Sequence, residues 1–175
     1  MNTAGVDIST LIRAIPDFPI PGILFRDITP LLKDGPGFKA AIDLFVAHFK
    51  GRKIDYIVGV EARGYMLGAP LAYALGAGFV PVRKPGKLPG SKFCESYALE
   101  YGTSTLEIHD DAIGHGQKVV VIDDLLATGG TAAATERLLE RLGADVVGFA
   151  FLIELEGLGG RQAIRASDVT AFLKY

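Results

Sequence analysis

Two adjacent carboxylates followed by a small, hydroxyl-rich loop are the residues of this chain best suited to chemistry. The stretch VVVIDDLLATGGT at 119–131 predicts a buried strand that ends at Asp123 and Asp124. A short loop then leads into a predicted helix through Thr128, Gly129, Gly130 and Thr131. The free N–H groups and the dipole of a helix N-terminus bind phosphate, and glycines let the backbone approach it closely. The stretch therefore predicts a binding site for a phosphorylated sugar, whose hydroxyls would donate hydrogen bonds to the carboxylates. A charged turn before a Thr-capped helix is the alternative.

Other anion- and metal-binding patterns are not met. No Gly-Lys-Ser/Thr follows the glycines, so the stretch is not a P-loop. GPGFKA at 35–40 fits a dinucleotide fingerprint only formally, because no strand precedes it and Pro36 occupies the turn. No His/Cys cluster has zinc spacing, so we expect no metal held by protein ligands alone.

Cationic residues follow two further apolar runs. Arg63 comes just after IDYIVGV at 54–60, and Arg83, Lys84 and Lys87 come after GFVPV at 78–82. Ligands of open α/β sheets bind beyond the carboxyl ends of the strands, so these cations are candidates for holding an anion. Solvated strand-end and loop charges are the alternative.

Buried strands alternate with helices along the chain. Apolar runs at 54–60, 78–82, 118–123 and 145–153 predict strands, and 36–51, 65–75 and 131–143 predict helices. This order favours an α/β fold with a central, mainly parallel sheet flanked by helices. YALEYGTSTLEI at 97–108 predicts a hairpin standing off that sheet. The stretch to Leu32, with its four prolines, predicts an irregular N-terminal cap over one end of the sheet.

Composition limits the partners and the compartment. A net charge of −2 offers no broad basic field for nucleic acid or anionic lipid. Residues 64–82 carry no charge, but glycines and prolines interrupt them, so a buried helix, a glycine turn and a strand are expected rather than a membrane span. The single cysteine, Cys94, and the lack of a signal-peptide pattern favour the cytoplasm.

VVVIDDLLATGGT closely resembles the phosphoribosyl pyrophosphate motif of type I phosphoribosyltransferases. Four further stretches narrow the resemblance to the members that act on adenine: FPIPGILFRDITPLL at 18–32, YIVGVEARGYMLGAPLA at 56–72, RKPGKLPG at 83–90 and SYALEYG at 96–102. The resemblance covers nearly the whole chain and implies one domain over 1–175. It also implies transfer of phosphoribosyl to adenine, giving AMP and pyrophosphate in purine salvage. At Ala62 serine is also familiar in the family, and alanine does not weaken the assignment.

The resemblance assigns roles to individual residues. It implies that Ala127 to Thr131 hold the 5-phosphate, that Asp123 and Asp124 hold the ribose hydroxyls, and that Arg63 and the basic residues Arg83, Lys84 and Lys87 meet the pyrophosphate. Residues 96–108 would form a mobile active-site loop, with Glu100 as acid/base and Tyr101 as a closing contact. Leu24, Phe25 and Arg26 would bind adenine from the base-binding segment at 1–32. Mg²⁺ would arrive with the pyrophosphate, and a homodimer is implied because part of the basic loop serves a neighbouring subunit's site.

Three alternatives stay open on the sequence alone. The acceptor could be guanine, hypoxanthine or orotate within the same superfamily. The chain could be a regulator that kept the sugar-phosphate site without turnover, although it has no length for a DNA-binding domain. It could also be an unrelated phosphate-binding α/β domain.

Overall fold

The computed structural model of the chain describes residues 2–3, 6–98, 102–166 and 168–175. Contacts divide the chain into two compact units, Met1–Phe49 and Lys50–Tyr175. The predicted single domain over 1–175 stays a prediction. Glu100 and Tyr101 lie outside the described residues.

The first unit is built from short strands and two helices. Strands β1 (Asn2–Thr3) and β2 (Val6–Asp7) pair antiparallel, as do β3 (Arg13–Ile15) and β4 (Phe25–Asp27). Helices α1 (Thr29–Lys33) and α2 (Gly35–Phe49) follow. The buried carboxylate of Asp27 joins β3 to the start of α1, accepting from Arg13 Nη2 at 2.5 Å and from the Thr29 amide at 2.8 Å. The unit is thus more regular than the irregular cap that the prolines suggested.

A parallel sheet forms the centre of the second unit. Its order is β11 (Val169–Lys174), β10 (Asp145–Glu154), β9 (Lys118–Leu126), β5 (Tyr56–Val60) and β6 (Gly78–Val82), and every pairing between described residues is parallel. Continuous apolar runs build the central strands, whose Val58, Val120 and Ile122 are fully buried. The predicted parallel α/β sheet is confirmed.

Two helices cover opposite faces of that sheet. Helix α3 (Arg63–Leu75) connects β5 to β6, and α4 (Gly130–Leu142) connects β9 to β10. Gly68 of α3 lies over Ile57, whereas Leu138 of α4 belongs to the core cluster that contains Val58. Successive side chains of a strand point to opposite faces, so α3 and α4 lie on opposite sides.

An antiparallel hairpin stands apart from the main sheet, as predicted. Its strands are β7 (Lys92–Ala98) and β8 (Thr103–His109), so it begins before the expected 97. Its mobility stays a prediction.

The charge-free stretch at 64–82 contributes a helix, a turn and a strand. Helix α3 ends at Leu75, Gly76 adopts a left-handed conformation, and β6 begins at Gly78. No helix among the described residues combines the length and the apolar character that crossing a bilayer demands.

Candidate active site

A cavity of about 500 Å³ lies at the carboxyl ends of β5 and β9 in the second unit. Its lining comes from the loop after β5, the end of β9, the loop that leads into α4, and the hairpin. The lining includes these predicted site residues: Arg63, Lys84, Asp123, Asp124, Ala127, Thr128, Gly129, Gly130 and Thr131. The structure therefore brings together the residues predicted for the sugar, the 5-phosphate and part of the pyrophosphate.

The loop before α4 is shaped as a phosphate cradle. Gly129 has a left-handed φ of 83°, and the first helical hydrogen bond runs from Ala133 N to Gly129 O at 2.9 Å. The amides of Gly130, Thr131 and Ala132 therefore precede the helical ladder and remain available to an anion. The macrodipole of α4 adds a positive potential at the same point.

A second glycine supports this cradle from behind. A Cβ on Gly129 would lie 2.3 Å from the carbonyl oxygen of Gly160, and a Cβ on Gly160 would lie 2.2 Å from that of Ala127. Gly160 follows β10 in a 3-10 turn at Gly160–Ala163. Two backbones therefore touch where side chains would hold them apart.

The two carboxylates differ in environment. The strand β9 continues through Leu126, so Asp123 and Asp124 lie within it and not beyond its end, which corrects the predicted strand end. Asp124 is 3% exposed, and its Oδ2 lies 2.6 Å from Nε of Arg63, the first residue of α3. Asp123 is half-buried, and its Oδ1 accepts from the Asp124 amide at 2.9 Å. Asp124 is thus held in direct contact with the Arg63 guanidinium.

Enclosure changes the protonation of this pair. Burial raises the pKa of Asp123 well above its ordinary range, and the neighbouring charge of Asp124 raises it further. Burial also raises the pKa of Asp124, although the Arg63 guanidinium opposes that shift. Ionising both carboxyls is therefore costly in the free site, and positive charge developing on a ligand would favour the doubly ionised state.

The loop after β5 approaches the carboxylates closely. A Cβ on Gly64 would lie 2.7 Å from the Ile122 carbonyl oxygen and 3.1 Å from Asp123 Oδ1, so only glycine fits there. The peptide bond between Glu61 and Ala62 is cis. Arg63 follows in the chain, lines the cavity and lies beside Asp124.

Glu61 holds the basic loop that follows β6. Its Oε1 lies 2.9 Å from Lys87 Nζ, and its Oε2 accepts from the Lys84 amide at 3.0 Å and lies 3.4 Å from Arg83 Nε. The hydrogen bond from Lys87, together with the other two contacts, lowers the pKa of Glu61 to about 2 against its burial. Lys84 lines the cavity, whereas Arg83 and Lys87 are turned toward Glu61.

A second buried carboxylate anchors the same loop to the hairpin. Glu107 of β8 exchanges backbone hydrogen bonds with Arg83, at 2.9 and 2.7 Å, and its Oε2 accepts from the Gly86 amide at 3.1 Å. Burial opposes its ionisation, but the Gly86 amide and the Lys92 ammonium outweigh that cost and lower the pKa of Glu107. The backbone of the basic loop is therefore tied at both ends.

The predicted base-binding residues lie in the first unit. Leu24 is 48% exposed and precedes β4, which contains Phe25 and Arg26. The Phe25 ring meets the Phe18 ring edge-on, with centroids 5.1 Å apart. The assignment of these three residues to adenine stays a prediction.

The roles of two side chains of the cavity were not predicted from the sequence, although the resemblance implied that backbone amides of the loop from Glu61 to Gly64 help to meet the pyrophosphate. Glu61 precedes Arg63 in the quoted GVEARG stretch, but its partners are distant in sequence and their pairing could not be foreseen. Tyr97 lies in the quoted SYALEYG stretch, and its hydroxyl is 3.0 Å from that of Thr131. Its place in that quoted stretch was the available signal.

Residues 30–173 match the family model described as a phosphoribosyl transferase domain. A parallel sheet with a carboxylate pair leading into a glycine cradle agrees with that class. The names of the most similar relatives are more specific than that class. The adenine phosphoribosyltransferase of Acaryochloris marina is 58% identical over 170 residues, which cover 97% of this chain and all of that protein.

Solved structures give the same result. The adenine phosphoribosyltransferase of Thermoanaerobacter pseudethanolicus is 53% identical with a TM-score of 0.93, covering 96% of this chain and 98% of that one. The Saccharomyces cerevisiae enzyme, complexed with an imino-altritol bisphosphate and adenine, is 45% identical with a TM-score of 0.90, covering 94% and 95%. The chain belongs to the adenine phosphoribosyltransferase family and is an enzyme of the pentosyltransferase class.

Proposed function

We propose that this chain transfers the phosphoribosyl group of phosphoribosyl pyrophosphate to adenine, giving AMP and pyrophosphate in purine salvage. The observation that carries the proposal is a single cavity that joins a phosphate cradle, two carboxylates and two cations in a chain of this family. The related yeast enzyme binds adenine together with a bisphosphate, which fits the same pair of substrates.

The cradle and the carboxylates bind the sugar. The amides from Ala127 to Thr131 and the hydroxyls of Thr128 and Thr131 hold the 5-phosphate. Asp123 and Asp124 accept hydrogen bonds from the ribose hydroxyls. As the anomeric bond breaks, positive charge develops on the sugar, and the nearby carboxylates stabilise it electrostatically.

Cations hold the leaving group. Arg63 and Lys84 face the cavity and neutralise the pyrophosphate as it departs. Arg83 and Lys87 add positive charge at the same loop, where Glu61 keeps them in place. In a dimer, part of this loop contributes to the site of the neighbouring subunit.

Magnesium is the cofactor that this reaction would use. Mg²⁺ prefers phosphate oxygens and water as ligands, so the pyrophosphate would carry most of its coordination. Asp123, half-buried in the cavity, is suited to contact such an ion or its waters. When bound, the ion supplies charge neutralisation on the leaving group.

Two segments complete the reaction. Glu100 acts as acid/base near the imidazole ring of adenine, and Tyr101 closes the site; both lie outside the described residues. Closure of the loop at 96–108 excludes water, which competes with adenine for the sugar cation. Phe25 stacks on the base, and backbone groups of 24–26 select the six-amino group of adenine.

The enzyme works as a homodimer in the cytoplasm. Helix α3 presents a face without charge to solvent, on which Met66 is 46% and Tyr73 91% exposed. A face of this kind suits a second copy of the chain, which would cover it. The lone Cys94 fits a reducing compartment.

A turnover assay with several bases tests the proposal. The purified protein receives magnesium, phosphoribosyl pyrophosphate, and adenine, hypoxanthine or guanine in turn, and nucleotide formation is measured by chromatography. We expect AMP to form at least about a thousandfold more efficiently than IMP or GMP, because a mismatched polar group would stay buried and unpaired. Equal rates with hypoxanthine or guanine would contradict the assignment of adenine as the acceptor. No turnover with any base would contradict the proposed transferase activity.

A further inference from the structure

One face of β7 lies along helix α4. Phe93, Glu95 and Tyr97 alternate along the strand and therefore share a face. Three contacts join this face to the helix: Arg141 stacks over the Phe93 ring at 4.4 Å, Arg137 Nε meets Glu95 Oε1 at 2.5 Å, and the Tyr97 hydroxyl lies 3.0 Å from that of Thr131.

The three contacts follow one another in order along the strand and the helix. Two strand residues advance about 6.6 Å, and four helical residues advance about 6 Å, so the first two contacts stay in step. The last step covers six helical residues, or about 9 Å, and the Tyr97 hydroxyl still reaches that of Thr131.

The Tyr97 ring packs closely against the cradle. A Cβ on Gly130 would lie 3.2 Å from its Cδ2, so the ring covers the first residue of α4 closely. The same ring packs against the hydrophobic core cluster of the unit. In this arrangement the packed ring presents its hydroxyl to Thr131.

The contact with Tyr97 determines where the Thr131 hydroxyl can donate its own proton. A threonine hydroxyl has one proton and two lone pairs, and the more acidic phenol is the better donor of the two. When Tyr97 donates to Thr131 Oγ1, the proton of Thr131 remains for an acceptor in the cavity, which both residues line. A phosphate oxygen in the cradle is such an acceptor.

We propose that Tyr97 is a positioning residue for the 5-phosphate, acting by orienting the hydroxyl of Thr131 toward it. This rests on the proposed function of the cradle as the 5-phosphate site. Tyr97 would thereby couple the hairpin to the occupied phosphate site, because its hydrogen bond to Thr131 joins β7 to the cradle.

A double-mutant cycle tests the proposal in the full-length enzyme. Tyr97→Phe keeps the ring and removes the hydroxyl, and we expect it to raise the KM for phosphoribosyl pyrophosphate about three- to tenfold with kcat nearly unchanged. Thr131→Val should raise the same KM by about tenfold or more, since it removes the phosphate donor itself. The double variant should match Thr131→Val, because Tyr97 acts only through that hydroxyl.

The control variant is Ser91→Ala just before β7, which removes a hydroxyl that donates to Asp110, outside the loop at 96–108 and away from the cradle. We expect it to behave as wild type. Additive losses in the cycle, an equal loss in Ser91→Ala, or a fall in kcat at constant KM for Tyr97→Phe would overturn the proposal.

Calorimetry can measure the binding of ribose 5-phosphate to the same four proteins without turnover. This measurement tests the role of Tyr97 separately from the proposed function. A wild-type protein that binds this sugar phosphate but forms no AMP would defeat only the proposed function. A Thr131→Val loss of binding with none for Tyr97→Phe would defeat only the role of Tyr97.

Discussion

At the scale of single residues, the site is organised by carboxylates in unequal surroundings. Asp124 is buried against Arg63, while the neighbouring Asp123 is half-buried in the cavity and accepts a hydrogen bond from the Asp124 amide. The doublet was predictable from the sequence because it directly precedes the glycine loop. The difference between its two members was not, because it depends on where α3 places Arg63.

Replacing both aspartates with asparagine tests their electrostatic role. The double variant keeps size and hydrogen-bonding capacity but loses the charge that faces the sugar, and we expect turnover to fall by about 10²–10³. Steady-state kinetics measures the loss, and circular dichroism checks that the variant folds. Turnover close to that of the wild type would exclude the carboxylates from the reaction.

Asp123→Asn alone should make the free protein more stable at neutral pH. The pKa of Asp123 is raised in the folded protein. At pH values above the ordinary pKa of aspartate, Asp123 is therefore ionised in the unfolded chain but resists ionisation in the folded one, so stability falls as the pH rises. Asparagine mimics the neutral form, so the gain should grow with pH and vanish below about pH 4, where both states of aspartate are protonated. Urea unfolding at several pH values measures it; a gain independent of pH would contradict this cause.

Glu61 makes the opposite contribution. In the folded protein the pKa of Glu61 is lowered to about 2, so its carboxylate stabilises the fold at pH values above the ordinary pKa of glutamate. This stabilisation is lost as the pH falls toward 2. Glu61→Gln should cost up to about 3 kcal/mol in unfolding free energy at pH 7, and it should raise the KM for phosphoribosyl pyrophosphate as the basic loop loosens.

The control for Glu61 is Glu140→Gln, which breaks the exposed ion pair with Arg165, at 2.8 Å. Exposed pairs contribute little, so this variant should lose less than about 1 kcal/mol. Equal losses in the two variants would mean that the enclosure of Glu61 has no special effect.

At the scale of elements, predictability followed the continuity of the apolar pattern. β6 was predicted with its observed bounds, because an apolar run between glycine and charged residues has no competing interpretation. β11 was missed, because VTAFLK is short and gains its strand character by pairing with β10. The hairpin start was placed late, since Lys92 to Ser96 carry polar residues that a strand off the main sheet tolerates.

The turn that supports the phosphate cradle gives a prediction at this scale. Gly160→Ala would put a Cβ 2.2 Å from the Ala127 carbonyl oxygen and 2.9 Å from Leu126 Cδ1, both too close for a real contact, so the loop would be displaced. We expect a loss of about 1–3 kcal/mol in stability, typical of overpacking, and a raised KM for phosphoribosyl pyrophosphate. Gly157→Ala is the matched control, because no heavy atom lies within 4 Å of its Cβ position. The same effect in both variants would contradict the proposed contact.

At the scale of the whole molecule, the family model at 30–173 extends across both compact units. The sequence predicted the class of fold and the order of its motifs, since five stretches in order carry that information. Residue pairs such as Glu61 with Lys87 arise only when the strands bring distant loops together, so they could not be predicted.

Dimerisation is the prediction that belongs to this scale. Tyr73→Asp puts a charge on the uncharged face of α3, and we expect it to shift the protein from dimer to monomer, because burying the charge is costly. Sedimentation velocity measures the change. Lys53→Asp, an exposed change before β5, should leave the dimer intact. A monomeric wild type, or a dimeric Tyr73→Asp, would contradict the use of this face.

The contact of Gly129 with Gly160 also bears on when the cradle can form during synthesis of the chain. The ribosome makes the cradle well before the turn that supports it, and domains fold as their parts become available from the N-terminus. A nascent chain that stops short of Gly160 has the carboxylates and the threonines but lacks the backbone against which Ala127 and Gly129 lie. If the cradle holds the proposed 5-phosphate, a nascent chain gains that binding site only after Gly160 has been made, and the substrate stabilises the chain only from that point on.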